Sequence, residues 1–204
     1  MYRILSLIKE NRNYIYLAGI IFIVGNGLGV VFVDQFYGLI EEALGTIKDL
    51  GEKIAENGHP FYATWVIFLN NIRSAFMFIL LGSIVAIPTI FGLFINGVLI
   101  GVVLSMIGEA GVSPIMLLIF GVMPHGIFEI PAILIAGGFG IKLGTVWIKP
   151  LPGLTRWQSY TAVFRESMYV FVFITVLLVV AGLVEGLITP VLLNYFVGEI
   201  GLFQ

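Results

Sequence analysis

Long uncharged apolar runs separated by short polar stretches dominate this chain. The first, from Tyr14 to Val33, carries no charge and has the ~20 residues that a bilayer-spanning helix needs. An acidic segment follows, residues 34–60, in which Phe36, Ile40, Ala43, Leu44, Ile47, Leu50 and Ile54 recur at helical spacing among charges. That pattern predicts an amphipathic surface helix. A second span is predicted from Trp65 to Ile87, ended by Pro88, and a third from Ile90 to Ile107. A Gly108–Gly111 turn leads to a fourth, Pro114 to Ile141, which Pro124 and Pro131 interrupt. Residues 142–166 form a basic connection, and the fifth span runs from Ser167 to Val184. The apolar tail after Pro190 suits a short interfacial helix. The expectation is an all-α, polytopic transmembrane bundle of five spans, with a broken or kinked fourth span and an outer amphipathic helix. It forms a single transmembrane domain over residues 1–204.

Composition agrees with this pattern. Apolar residues make up 59% of the chain, charged residues 11%, and mean hydropathy is +1.08. Soluble domains run nearer half apolar and a quarter charged, and could not hide so much apolar surface from water. Net charge is −2, so nothing basic points to nucleic acid. The chain has no cysteine, which excludes thiolate chemistry. The first apolar stretch has span length and no small-residue cleavage pattern, so it reads as a retained span.

Lys and Arg set the expected orientation in the cell membrane. Arg3, Lys9 and Arg12 precede span one, and Lys142, Lys149, Arg156 and Arg165 lie between spans four and five. Five spans put both groups on one side, the cytoplasmic one, with the N-terminus inside and the C-terminus outside. The connection between spans two and three carries no charge, so a hairpin that never reaches the cytoplasm is an alternative there. In the basic connection, Pro152-Gly153 signals a turn and Thr155 with Gln158 has capping-box spacing. Trp147, Trp157 and Tyr160 suit headgroup depth. They predict an anchoring helix or a docking surface for a cytoplasmic partner.

Small residues recur four apart: Gly25 and Gly29; Gly97, Gly101 and Ser105; Ala132, Ala136, Gly140 and Gly144; Gly182 and Gly186. Such faces let helix backbones approach closely, either within one chain or in self-association. Gly97, Gly101, Pro124, Gly126, Pro131 and Gly140 are the candidate packing and kink residues.

The candidate chemistry is an intramembrane polar set of Asn70, Asn71, Arg73, Asn96, His125 and Glu129. Charge at bilayer depth is costly and needs a partner. At about 1.5 Å per residue, Arg73 lies ~12 Å below Trp65 and Glu129 ~22 Å below Pro114, and a long Arg side chain covers much of that difference. The sequence therefore predicts an Arg73–Glu129 ion pair, with Asn96 and His125 around it. His125 and Glu129 are four apart and share a helix face. One histidine and one carboxylate do not close a metal site, and no serine stands beside an obvious base. No cofactor, metal or catalytic residue is expected.

Three stretches carry a family resemblance. The run Phe120-Gly121-Val122-Met123-Pro124-His125-Gly126-Ile127-Phe128-Glu129-Ile130-Pro131-Ala132 resembles the hallmark of the stage II sporulation protein M family. Asn70-Asn71-Ile72-Arg73-Ser74-Ala75-Phe76 and Phe94-Ile95-Asn96-Gly97 resemble its other recurrent segments. The resemblance covers nearly the whole chain. It implies a non-enzymatic membrane scaffold, since the family's named member in endospore formers localises cell-wall hydrolases during engulfment. Implied partners are the lipid bilayer and membrane or cell-envelope proteins, with self-association through the small-residue faces and no nucleic acid. The family extends beyond spore formers, and this chain lacks an extracytoplasmic domain able to grip a hydrolase. The alternative is a permease-like subunit whose polar set lines a path. A dry, paired cluster favours the scaffold, and an open cavity favours the permease.

Overall fold

The computed structural model describes residues 2–109, 111 and 113–196, apart from the side chains of Ile47, Ala55 and Pro60. Met1, Ala110 of the Gly108–Gly111 turn, Val112 and the tail beyond Phe196 lie outside the described residues. The described residues form helices and turns, with no strand among them.

Helix α1, Tyr2–Glu10, is a short basic-acidic amphipathic segment. It rests on the bundle through Arg3, whose guanidinium lies 4.7 Å from the centre of the Tyr169 ring. The first span, α2, is Arg12–Val31. Helix α3, Val33–Asn57, is the amphipathic segment; it ends at Gly58 with φ +66°, the left-handed stop that glycine allows. Helices α4, Pro60–Gly82, and α5, Ile87–Glu109, form the second and third spans. Pro88 lies in the first turn of α5 instead of ending the span before it. Proline fits there because a first-turn N–H has no helical partner to lose.

Five helical stretches are long and apolar enough to cross a membrane, the last two being Pro114–Ile148 and Arg156–Phe196. The fourth opens with α6, Pro114–Met116, passes through a π-helical segment at Leu117–Val122, and continues as α7, Met123–Ile148. The fifth is α8, Arg156–Leu183, a second π-helical segment at Val184–Ile188, and α9, Thr189–Phe196. It therefore outruns the expected end at Val184. The charge of Glu185 cuts the apolar pattern there, while the backbone hydrogen bonding carries on.

Helix α7 lies at the centre, between α2, α4, α5 and α8. Its buried face runs from Ala132 through Phe139 to Val146 and meets Ala18, Ile79, Leu93, Ile174 and Leu178. Glycines set the spacing. A side chain at Gly97 or Gly101 would strike the backbone of α2 at Phe22 or Asn26, and one at Gly25 or Gly29 would strike α5 at Phe94 or Val98. One at Gly140 would meet the Phe78 carbonyl, and one at Gly144 the Ala86 amide. At these positions the small-residue faces are used for close approach between helices of the same chain. Gly126 differs, since a methyl there would touch only Val122 and Ile130 of its own turn, at 3.6 Å.

The connection between α4 and α5 reaches the same end of the bundle as the turn between α7 and α8. Ser83 and Tyr160 hydroxyls stand 3.1 Å apart. The turn is strained: Val85 (φ 52°) and Ala86 (φ 62°) are non-glycine residues in left-handed geometry. The Ala86 amide closes it onto the Gly82 carbonyl at 3.0 Å.

The basic connection is shorter than residues 142–166. Lys142 is buried within α7 and forms a 2.7 Å ion pair with Glu166 of α8. Pairing removes the reason to place Lys142 in solvent. What remains is Lys149–Thr155, after which the Thr155–Gln158 capping box starts α8 with both reciprocal bonds formed. Trp147, Trp157, Tyr160 and Phe164 stack beside it at ring separations of 5.2–6.4 Å.

Candidate functional site

Both broken spans break in the same way. Proline has no N–H, and its ring clashes with the carbonyl four residues back. Pro124 and Pro190 each stand two residues beyond a π-helical segment. There the turn widens and backbone bonds skip five residues, as in Met123 N–H to Leu118 O and Thr189 N–H to Val184 O. Such widened turns shift the facing of later side chains and often occur at functional sites. Pro131, by contrast, sits inside α7, which runs on through it.

The two widened spans bring His125, Glu129 and Glu185 together. One ligating atom from each lies within 4.8 Å of the others. All three line a cavity of about 420 Å³ with Asn70, Asn71 and Asn96. The C-terminal half of α3 covers it through Thr46, Leu50, Gly51 and Ile54. The N-terminal half of α3 is anchored on α5, where Ile40 is fully buried with Val98 and Val102, and Phe36 meets Phe94 edge-on at 5.9 Å. The amphipathic helix is thus folded over the bundle.

Polar groups here point into the cavity with free capacity. Asn71 is 8% exposed and its Nδ2 has no hydrogen-bond partner; the acceptor it faces is the Glu129 carboxylate. Asn96 donates Nδ2 to its own helix at Gly92 O, 2.9 Å, which leaves Oδ1 free. His125 Nδ1 lies 3.5 Å from Thr189 Oγ1, and that hydroxyl donates to Val184 O at 3.3 Å. A hydroxyl has one proton to give. With that proton committed to Val184, the tautomer that fits this contact donates from Nδ1 and keeps the lone pair on Nε2. Among the described residues no Lys or Arg lines the cavity.

The structure therefore gathers Asn70, Asn71, Asn96, His125 and Glu129, but not Arg73. Arg73 is exposed and forms no salt bridge among the described residues, so the expected Arg73–Glu129 pair is absent. The reason is helical phase: two residues beyond Asn71, Arg73 points about 160° away from it round the helix. Sequence reasoning missed Glu185. The available signal was that it is the only charged residue between Ser167 and Gly198.

The profile of a family described as Stage II sporulation protein M matches residues 18–190. The chain is also similar to two uncharacterized proteins of the archaeon Methanocaldococcus jannaschii. With MJ0706 it is 26% identical over 164 residues, 79% of this chain and 68% of the relative. With MJ0793 it is 30% identical over 135 residues, 63% of this chain and 72% of the relative. No solved structure matches it.

Proposed function

The chain belongs to the stage II sporulation protein M family, and we propose that it is a permease-like, non-enzymatic membrane subunit whose polar cavity accepts a small solute or ion. The observation that carries this reading is the cavity itself. Its two carboxylates have no Lys or Arg beside them among the described residues, and the Nδ2 donor of buried Asn71 has no hydrogen-bond partner. A network serving only to fix helix register would be closed and fully satisfied, because unpaired polar groups at membrane depth are costly. Broken helices meeting at midplane polar groups are how many transporters build a substrate site. In this reading the protein lies in the cell membrane with the N-terminus inside and the C-terminus outside, and α3 covers the cavity from outside.

Reconstitution tests it. Liposomes holding the protein should pass protons or divalent cations, read with entrapped dyes, faster than protein-free liposomes. Glu129→Gln should slow that flux at least fivefold. Flux equal to that of empty liposomes would refute the reading.

The scaffold reading keeps one specific support besides the family: the aromatic end of the bundle, where Trp157 is 63% exposed beside Leu154. Exposed aromatics suit a docking partner. Crosslinking from position 157 in native membranes should capture a protein partner if that surface is a dock, and lipid alone if it is an anchor.

A further inference from the structure

Resting on the reading of the cavity as a solute site, we propose that His125, Glu129 and Glu185 bind one divalent transition-metal cation, with Asn71 as a fourth, adjustable ligand. The first support is the donor set. One imidazole nitrogen and two carboxylates from two separate spans stand within 4.8 Å of one another. Around a Zn²⁺ held at about 2.0–2.2 Å from each donor, ligand atoms stand ~3.3–3.5 Å apart. Rotation of the long Glu side chains covers the remaining gap of about 1.5 Å or less. The second support is the orientation of His125. The Thr189 hydroxyl stands 3.5 Å from Nδ1, so Nε2 is the nitrogen the proposal assigns to the metal, with Thr189 as the kind of neighbouring group that orients metal-binding histidines.

The third support is independent of the ligand trio. Asn71, buried to 8% exposure and lining the same cavity, carries an amide end with no partner. Amide oxygen and nitrogen are assigned from their hydrogen bonds, and here the end facing the carboxylates has none. Asn71 Oδ1 now accepts from Asn70 Nδ2 at 3.5 Å; turned over together with the Asn70 amide, which would then accept from Asn71 Nδ2, the Asn71 amide presents Oδ1 to a cation. Charge gives the same answer. Two carboxylates this close repel unless a cation or proton lies between them, and among the described residues no Lys or Arg lines the cavity to serve. The nitrogen ligand selects Zn²⁺, Mn²⁺ or Fe²⁺ over Mg²⁺ and Ca²⁺, which prefer all-oxygen cages.

The full chain, purified in detergent without a histidine tag and stripped with a chelator, is dialysed against Zn²⁺ or Mn²⁺. Metal is counted by mass spectrometry. The chain has only two histidines, so His59→Ala leaves His125 as the sole imidazole. That variant should keep one equivalent of metal. X-ray absorption on its zinc form should show one nitrogen ligand among oxygens. Glu129→Gln with Glu185→Gln should bind at least tenfold more weakly; these isosteric changes remove repulsion, so folding should survive. An all-oxygen shell in the His59→Ala protein, or a folded double variant that binds as tightly as the parent, would overturn the proposal. So would a parent protein that binds neither Zn²⁺ nor Mn²⁺. Binding without flux in liposomes would refute only the transport reading. Flux without binding would refute only the metal site.

Discussion

Two places in this bundle hold ionisable groups between helices, and they are built on opposite terms. At the end where α7 and α8 join, Lys142 and Glu166 meet at 2.7 Å, opposite in charge, on unbroken α-helix, beside stacked aromatic rings. In the cavity, Glu129 and Glu185 are alike in charge, Glu185 lies within a π-widened turn and Glu129 two turns beyond another, and no Lys or Arg lines the space around them among the described residues. The first arrangement satisfies itself and holds two helices in register. The second leaves hydrogen-bonding capacity and charge open, which costs stability unless something outside the chain supplies the missing partner.

The largest effect should come from breaking the closed region. Lys142→Met leaves Glu166 facing apolar surroundings. Losing one partner of a buried pair costs about 3–5 kcal/mol, and the lower end applies because the Glu166 side chain keeps 28% exposure. Thermal unfolding in detergent should show this loss, and Lys142→Met with Glu166→Leu should recover more than half. Additive losses in the double variant would mean the pair is not coupled.

Next in size is the close packing that brings the spans together. Gly101→Val sets a branched side chain against the Asn26 carbonyl of α2. Neither backbone can move far, so about 1–3 kcal/mol should be lost. Gly126→Ala, with only side chains at 3.6 Å nearby, should cost less than 1 kcal/mol. Equal losses at both positions would contradict the inter-helix contacts.

The open region should respond with the opposite sign. Glu129→Gln removes a like-charge neighbour from Glu185 without changing shape, so metal-free protein should be unchanged or stabilised by up to about 1 kcal/mol. A loss as large as that of Lys142→Met would mean the cavity is as structural as the closed end. Added Zn²⁺ should raise the melting temperature of the parent and not of Glu129→Gln, because only the parent offers the full ligand set.

Much of this was legible in the sequence. The spans, the amphipathic segment and the capping box follow from apolar run length, helical periodicity and residue type, which are local properties. Most of the cavity residues were legible too, because Asn70, Asn71, Asn96, His125 and Glu129 are rare polar groups in apolar runs. What failed were facing and partnership. Lys142 reads as solvent-exposed until Glu166, on another helix, is seen to meet it. Glu185 reads as the end of a span because one charge interrupts the pattern, and only hydrogen bonding across a π-turn carries the helix past it. Arg73 reads as the partner of Glu129 because depth along a span can be counted, whereas rotation about its axis depends on which face packs.

The smallest effect should be at Arg73, where the sequence suggests the largest. Its side chain is exposed and pairs with no described carboxylate, so Arg73→Met leaves no buried charge behind. Exposed substitutions shift stability by about 0.5 kcal/mol or less. Removing a cation from the middle of a span also relieves a burden that a long side chain escapes only by reaching toward the interface. The variant should therefore unfold within about 0.5 kcal/mol of the parent, or slightly above it. A double-mutant cycle with Glu129→Gln should return a coupling near zero, whereas a close charge pair would give 1 kcal/mol or more. Coupling of that size would bring Arg73 into the cavity and supply the cation that Glu129 and Glu185 lack. The contrast between a closed and an open region would then collapse, and the case for an external metal with it.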